Sequence, residues 1–136
     1  MLKFTEEKIF TQEQVQQLFL SVHWISGNYP ERLYKALMHS STVLTVWDDT
    51  KLVGLTRVLD DTAMLAQVHY VLVHPEYQGQ GIAGELLERV KAKYKDYLYI
   101  EGMPEDESNV PFYEKHGFRR MEHAAAIQIC NYSDER

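Results

Sequence analysis

The chain has 136 residues, which fits a single domain over 1–136, and its 45% hydrophobic and 12% aromatic residues exclude intrinsic disorder of the whole chain. The formal net charge of −6 argues against a general nucleic-acid binder, and the single cysteine, Cys130, excludes a disulfide scaffold and a thiolate zinc site. No apolar run is long enough to span a membrane and no signal peptide is evident, so we expect a cytoplasmic protein without a nucleic-acid or membrane partner.

The first half of the chain predicts two helices followed by a pair of strands. A short strand at 2–5 precedes a helix that Thr11 can cap, and a second helix begins at Pro30, a residue that suits the first helical turn. The segments 41–47 and 52–59 are rich in β-branched and aliphatic residues and are separated by a short run of turn-forming residues. These two segments predict a β-hairpin.

The second half predicts a third strand of this sheet and then a mixture of elements. Residues 63–73 end in a nearly continuous apolar run, so we expect three strands in an antiparallel meander. From Ile82 onward, apolar residues recur every three or four positions, which predicts a helix. A strand at 97–101, a helix at 110–116 and a last strand at 127–132 complete the predicted elements.

The segment from Val71 to Gly84 joins a buried strand to a helix through a glycine turn. Glycines allow a sharp turn and a close approach to a ligand, and the first N–H groups of a helix lack partners at the positive end of its dipole. No Asp or Glu lies between Tyr77 and Gly84. This segment therefore predicts a site for a phosphate or pyrophosphate.

The same glycines also match a dinucleotide fingerprint. Gly79, Gly81 and Gly84 have the required spacing, and Glu101 imitates the acid that would hold a ribose. Against an NAD site, residues 74–78 separate the strand from the first glycine, and the motif follows a predicted meander instead of opening a βαβ unit. Too little chain follows for a dinucleotide-binding sheet, so we disfavour this interpretation.

Two motifs together resemble a known family. The run Val-x-Val-x-Pro-x-Tyr-Gln-x-x-Gly-x-Ala at 71–83 and the run Pro-Phe-Tyr-Glu-Lys-His-Gly-Phe at 111–118 resemble the Gcn5-related N-acetyltransferases (GNAT superfamily), of the small bacterial amine-acetyltransferase type. Gln78, Gly81 and Ala83 fill the family signature. The resemblance implies an α/β (α+β) GNAT fold, in which a mixed, mostly antiparallel sheet of about six or seven strands is flanked by about four helices and strands 4 and 5 are splayed.

The resemblance also implies the reaction and its co-substrate. Such enzymes transfer the acetyl group of acetyl-CoA directly to a primary amine, with the pyrophosphate on the glycine loop and the pantetheine arm paired along the preceding strand. The implied cofactor contacts are Val71, Leu72, Val73, Gln78, Gly79, Gln80, Gly81, Ile82, Ala83 and Asn109. Asp106 stands where many relatives have an asparagine, which makes Asn109 the nearby substitute.

Two residues are the expected catalytic groups. Tyr113 occupies the position of the family's proton-donating tyrosine, although a core aromatic beside Phe112 and Phe118 would fit the sequence as well. Glu101, at a strand end, matches by spacing a glutamate used as base in one branch, and a solvated carboxylate is an equal alternative. His69 is the second choice of base, because an ordinary imidazole pKa suits proton transfer near neutrality.

The residues before the hairpin are expected to wall the acceptor site. Trp24 and Tyr29 could form an aromatic face for an amine, and packing aromatics are an even alternative. His69 and Tyr70 are the other expected substrate contacts. We expect a small primary amine, polyamine or amino sugar as acceptor. Tyr70 stands where related subgroup members often carry Asp.

Further expectations concern metals, oligomers and a second function. The six histidines show no metal-ligand spacing, so no metal is expected, and Cys130 is expected to be a buried small residue. A homodimer through the C-terminal strands is expected from the resemblance. The alternative function is a non-catalytic acyl-CoA-binding regulatory or partner module, which the departures at Tyr70 and Asp106 suggest and the intact Tyr113 opposes.

Overall fold

A computed structural model describes residues 1–132 of the chain, which belong to two units. Residues Met1–Gly102 form one compact unit and the residues from Met103 onward form the second, while the single domain expected over 1–136 stays a prediction. The strands and helices are β1 (Leu2–Thr5), α1 (Gln12–Ser21), α2 (Pro30–Met38), β2 (Thr42–Asp48), β3 (Lys51–Asp60), β4 (Leu65–Val73), α3 (Ile82–Lys93), β5 (Tyr99–Gly102) and α4 (Val110–Lys115). Short 3₁₀ turns occupy Ile25–Asn28, Pro75–Tyr77 and Glu107–Asn109.

The two N-terminal helices begin where the sequence predicts. The Thr11 hydroxyl accepts a hydrogen bond from the backbone N–H of Gln14 at 3.1 Å, and the Gln14 side chain accepts one from the N–H of Thr11 at 2.9 Å. This reciprocal capping box satisfies donors that a bare helix end would leave unpaired. Pro30 lies in the first turn of α2, where its missing N–H costs nothing.

The sheet has the order β1-β2-β3-β4-β5, and its first four strands are antiparallel neighbours. Asp49 and Thr50 form the two-residue turn between β2 and β3, with Asp49 at φ +54°. The predicted hairpin and meander are confirmed. The strand β5 pairs in parallel with β4, and α3 connects the two, so the glycine turn does open a βαβ unit. The expectation that the motif does not open a βαβ unit is therefore wrong, because β5 follows the turn and α3 and pairs in parallel with β4.

One half of β4 has no strand beside it on the β5 side among residues 1–132. The parallel pairing runs from Leu65 opposite Tyr99 to Val68 opposite Gly102 and stops there. On its other edge β4 stays paired with β3 up to Val73, although the register shifts by one residue at Tyr70. The edge of residues 69–73 that faces away from β3 is therefore open to another extended chain.

Helices cover both faces of the sheet. The helices α1 and α2 bury one apolar cluster against β2, β3 and β4, and its fully buried members include Val15, Phe19, Leu37 and Leu55. On the opposite face α3 packs on β3 and β4 through the residues Ile82, Leu86, Leu87 and Val90. The periodicity that predicted α3 is thus the pattern of its buried face.

The chain beyond α4 contradicts the predicted strand at 127–132. Within residues 1–132 the structure has five strands, not six or seven, and no helix or strand follows Lys115. The side chains of Ile127 and Ile129 are 95% and 87% exposed, and Cys130 is exposed instead of buried. An alternating apolar pattern forms a strand only where a neighbouring strand completes its hydrogen bonds. In the described part of the chain no helix is long and apolar enough to cross a bilayer.

Candidate active site

The glycine turn after β4 is held by hydrogen bonds from its own residues, including the following three. The N–H of His74 donates to the carbonyl of Val53 in β3 at 2.8 Å, and the His74 Nδ1 accepts from the N–H of Glu76 at 3.1 Å. The side-chain amide of Gln78 donates to the carbonyl of Val73 at 3.0 Å. The side chain of Gln78, the signature glutamine, thus connects the turn to the end of β4. The backbone N–H groups after Gln78 are not used in this contact.

Two glycines give this turn its shape. Gly79 and Gly81 both have φ +80°, a conformation that L side chains rarely adopt. A Cβ added to either would meet no atom within 4 Å, so the requirement is conformational and the space above the turn is open.

Gly81 leaves the start of α3 without a side-chain cap. The first backbone hydrogen bond of α3 joins the N–H of Glu85 to the carbonyl of Gly81 at 3.0 Å, so the N–H groups of residues 82–84 lie ahead of the helical ladder. These donors, the helix dipole and the open space are what a phosphate or pyrophosphate requires. The loop predicted from sequence therefore has the geometry of an anion site.

A second group of residues surrounds Tyr70 at the register shift in β4. Tyr70 has φ +68°, and its hydroxyl lies 2.6 Å from the Oγ of Ser26. Its ring centroid lies 4.8 Å from that of Phe19, edge to face, and 5.8 Å from that of Trp24. Trp24 and Tyr70, two expected substrate contacts, are thus brought together, and both pack partly against the apolar cluster of α1 and α2. Tyr29 lies five positions after Trp24 and is 37% exposed.

Arg57 and His69 lie against the same tyrosine. The Arg57 guanidinium carbon is 5.4 Å from the Tyr70 ring centroid, and the His69 ring is 4.0 Å from it. The Nε of Arg57 is buried and has no hydrogen-bond partner among the described residues, and desolvation lowers the pKa of Arg57 while Tyr70 acts in the opposite direction. Although His69 as a residue is exposed, loss of water around its ring and then the charge of Arg57 lower its pKa below 6.5.

Glu101, the expected base, is half-buried in β5. The parallel register places Glu101 opposite Gln67, and the antiparallel register places Arg57 opposite His69. Paired residues project from one face of a sheet, as do alternate residues of one strand. Glu101, His69 and Arg57 therefore project from the same face of β5, β4 and β3, the face on which Tyr70 packs.

The second unit carries the other expected catalytic residue. Tyr113 lies in α4, half-buried, with its ring 5.3 Å from Phe112 and 5.7 Å, edge to face, from Phe118. Burial raises its pKa above 10.0, which keeps the hydroxyl protonated at neutral pH.

Asp106 and Asn109 also lie in the second unit, in the turn before α4. The Asp106 carboxylate accepts a hydrogen bond from the N–H of Ser108 at 2.8 Å, and this bond lowers the pKa of Asp106. Asn109 is exposed at the start of α4 and makes no side-chain cap. The acid that replaces an asparagine of many relatives thus caps a turn, and Asn109 keeps its side chain exposed.

Sequence reasoning gave Arg57 and Ser26 no role at this site. The available signal for Arg57 was a charged residue in the middle of an apolar strand, Leu55-Thr56-Arg57-Val58-Leu59, since a charge at such a position needs a partner. No comparable signal marked Ser26, which depends on the fold of the chain around Tyr70. Among residues 1–132 no three His, Cys, Asp or Glu side chains are grouped to hold a metal ion.

Comparisons with known proteins agree with this architecture. The chain matches the family model for the acetyltransferase (GNAT) domain over residues 6–128. An uncharacterized N-acetyltransferase ycf52-like of Prochlorococcus marinus is 32% identical over 97 residues, which are 68% of this chain and 53% of that protein. The chain thus spans about half the length of that curated relative.

Solved structures superpose over nearly the whole chain. A GNAT-family acetyltransferase from Streptococcus pneumoniae TIGR4 is 29% identical, with a TM-score of 0.82 over 97% of this chain and 100% of that chain. A protein of unknown function from Staphylococcus aureus is 25% identical, with a TM-score of 0.84 over the same shares of the two chains.

Proposed function

Because the chain belongs to the Gcn5-related N-acetyltransferase (GNAT) family, we propose that it transfers the acetyl group of acetyl-CoA directly to the primary amine of a small molecule. The observation that carries this proposal is the uncapped start of α3 after two glycines at φ +80°. Family members use acetyl-CoA as co-substrate, and its pyrophosphate is the anion for which such a loop is suited.

The open edge of β4 supports the assignment of the pantetheine arm. Residues 69–73 lack a strand on the β5 side within residues 1–132, so their outward N–H and C=O groups can pair with the amides of an extended ligand. Val71 to Val73 lead directly into the glycine turn. One bound acetyl-CoA would thus use strand and loop in succession, which fixes its thioester near the register shift at Tyr70.

Two groups are available for the proton that the amine must lose. A protonated amine has an ordinary pKa near 10.4, so it needs a base before its nitrogen can attack the thioester carbonyl. The lowered pKa of His69 leaves its imidazole neutral at pH 7, and Glu101 projects from the same face. The departing CoA thiolate needs a proton in return, and the resemblance assigns that donation to Tyr113, whose raised pKa keeps it in the acid form.

The first experiment is a calorimetric titration of the protein with acetyl-CoA and, separately, with NAD. We expect micromolar binding of acetyl-CoA and none of NAD, followed by release of free CoA with members of an amine panel. Acetyl-CoA binding without turnover of any amine would favour the non-catalytic acyl-CoA module instead. No binding of acetyl-CoA would overturn both functions.

The glycine loop is tested by an isosteric pair, Gly81→Asp and Gly81→Asn. Both side chains tolerate a positive φ better than other residues, and neither meets a neighbour at its Cβ. The two variants differ in one negative charge beside the pyrophosphate, so we expect Gly81→Asp to bind acetyl-CoA more than about 10-fold more weakly than Gly81→Asn. Equal affinity of the two variants for acetyl-CoA at low salt would contradict the assignment of the pyrophosphate to this loop.

A further inference from the structure

Arg57 is a cation that forms no ion pair with the acidic side chains among residues 1–132. Its side chain enters the face of the sheet that carries Tyr70 and His69, and its Nε is buried without a hydrogen-bond partner in the described part of the chain. A guanidinium N–H that has lost water without gaining an acceptor is costly to keep, and a ligand that approaches the half-buried Arg57 side chain can supply the missing acceptor.

Among residues 1–132, the side chains that contact Arg57 on this face give its Nε no hydrogen-bond acceptor. Tyr70 offers its ring, because its hydroxyl is engaged with Ser26 at 2.6 Å. The His69 imidazole, which stands opposite Arg57 in the register, is either neutral or cationic, so it adds no negative charge. The next acid on this face is Glu101, which lies on β5 beyond β4.

The charges are therefore separated across three neighbouring strands. Arg57 is positive on β3, His69 lies between on β4, and Glu101 is negative on β5. Glu101 stands opposite Gln67, two residues along β4 from His69. With strands about 4.8 Å apart and a rise of about 3.3 Å per residue, the backbones of Arg57 and Glu101 are on the order of 12 Å apart, a span that two long side chains and one small molecule can fill. A ligand that satisfies both ends carries an ammonium group toward Glu101 and an oxyanion toward Arg57.

We propose that the acceptor is an amine that also carries an anionic group, a carboxylate or a phosphate, and that Arg57 binds this group. The inference rests on the proposed acetyl transfer and narrows its substrate class, so that polyamines are excluded from the acceptors expected from sequence. Arg57 determines specificity: it binds the part of the acceptor that does not react, and the planar guanidinium suits carboxylate and phosphate oxygens. The amine stays on the side of Glu101 and His69, where its proton is removed.

The test uses pairs of amines that differ by the anionic group: phenylalanine and phenethylamine, 5-aminovalerate and pentylamine, glucosamine 6-phosphate and glucosamine. We measure kcat and KM by CoA release for the unmodified chain, Arg57→Gln, Arg57→Lys and the matched control Arg89→Gln. Arg89 is a suitable control because it pairs with Glu85 at 2.8 Å on the exposed side of α3.

For at least one pair, we expect kcat/KM of the unmodified chain to favour the anionic member by about 10- to 100-fold. Arg57→Gln removes this preference, mainly through KM, and Arg57→Lys retains part of it. Arg89→Gln leaves it unchanged, and all variants keep their affinity for acetyl-CoA. Because the readout is a ratio between two substrates, a general loss of stability does not imitate it. The first two pairs report on a carboxylate and the third on a phosphate.

The outcomes separate this inference from the proposed function. Turnover of the uncharged amines without preference, or a preference that survives in Arg57→Gln, overturns the inference and leaves acetyl transfer standing. If no amine is turned over, the proposed acetyl transfer is overturned. The anion site is then tested by measuring the binding of N-acetylphenylalanine and N-acetylglucosamine 6-phosphate in the presence of CoA. Binding that is lost in Arg57→Gln supports the site, and no binding overturns it.

Discussion

Tyr70 is a bulky residue in a left-handed backbone conformation inside a strand, which costs on the order of 1–2 kcal/mol. The cost is offset by a 2.6 Å hydrogen bond to Ser26 and by ring contacts with Phe19 and Trp24. The extra residue shifts the register of β4 and places His69 and Tyr70, which follow each other in sequence, in contact at 4.0 Å. Strain at this residue therefore brings the aromatic and basic groups of the site together.

Replacing Tyr113 with Phe tests the proton donor. The ring contacts with Phe112 and Phe118 are kept while the hydroxyl is lost, so kcat should fall about 10- to 1000-fold and acetyl-CoA affinity should not change. Because burial raises the Tyr113 pKa above 10.0, the alkaline loss of activity that belongs to this group should have its midpoint above pH 10. Steady-state CoA release against pH measures both effects.

The matched control for this variant is Tyr34→Phe. Tyr34 is also half-buried and contacts Phe10 edge to face at 6.1 Å, a contact that phenylalanine preserves. This control should keep the full rate. If Tyr113→Phe keeps it as well, the tyrosine is a packing residue and another group protonates the thiolate.

Among the elements, the start of α3 depends on a close approach to β3. Gly54 lies in the centre of β3, and a Cβ there would meet the Ile82 Cγ2 at 3.2 Å and the Val46 Cγ2 at 3.3 Å. Ile82 is the first residue of α3 and is buried. Because Gly54 has no side chain, the first turn of α3, with its unpaired N–H groups, can lie close to β3.

Gly54→Ala should force Ile82 and Val46 outward by a few tenths of an ångström. We expect a loss of about 1–3 kcal/mol in the free energy of unfolding and weaker binding of acetyl-CoA, because the helix start moves with Ile82. In the double variant Gly54→Ala/Ile82→Leu the Cγ2 is removed, and part of both losses should be recovered. Urea unfolding and calorimetry provide the two values, and additive effects of the two substitutions would contradict this steric coupling.

Across the first unit as a whole, Tyr94 ties α3 to the sheet. It follows α3, is 2% exposed, and its hydroxyl donates to the Asp60 carboxylate in β3 at 2.8 Å. The Thr42 hydroxyl of β2 lies 2.6 Å from the same oxygen and can donate to it. Desolvation, as the largest cause, raises the pKa of Tyr94 to about 12, and the hydrogen bond and charge of Asp60 add to this rise. The hydrogen bond with Thr42 acts in the opposite direction and lowers the pKa.

The raised pKa gives stability a defined pH dependence. The folded chain favours the neutral phenol, so the contribution of Tyr94 is complete below its unfolded pKa of 10.0 and is lost as pH rises toward about 12. We expect Tyr94→Phe to cost about 1–3 kcal/mol at pH 8, because Asp60 and Thr42 lose their partner. Between pH 10 and 11 the difference from the unmodified chain should shrink.

Urea unfolding of both proteins at pH 8, 10 and 11 measures this change. Tyr99→Phe, at a 53% exposed tyrosine, serves as control and should follow the unmodified chain throughout. A Tyr94→Phe difference that stays constant up to pH 11 would show that ionisation of Tyr94 is not coupled to folding.

Elements whose signals lie within a few residues were predicted well. Thr11 and Gln14 form their capping box and Pro30 opens α2, since both depend only on local backbone geometry. The predicted glycine turn before Ile82 is also present, with positive φ at Gly79 and Gly81. These features are local, which is why a sequence pattern is enough to identify them.

Features that need a distant partner were predicted poorly. The alternating residues around Ile127 and Ile129 suggested a strand, but no neighbouring strand completes it within residues 1–132. The parallel pairing of β5 with β4 and the register shift at Tyr70 are likewise set by contacts between segments far apart in sequence.

The sequence by itself determined the GNAT resemblance, the three-stranded meander, and the glycine turn that leads into α3, because each rests on residue types at short, fixed spacing. The tertiary structure decided the five-strand sheet and the open edge of β4 within residues 1–132, and the alignment of Arg57, His69 and Glu101 on one face. Which side chains share a face depends on strand register, and register is set by packing and hydrogen bonding between segments rather than by any one segment.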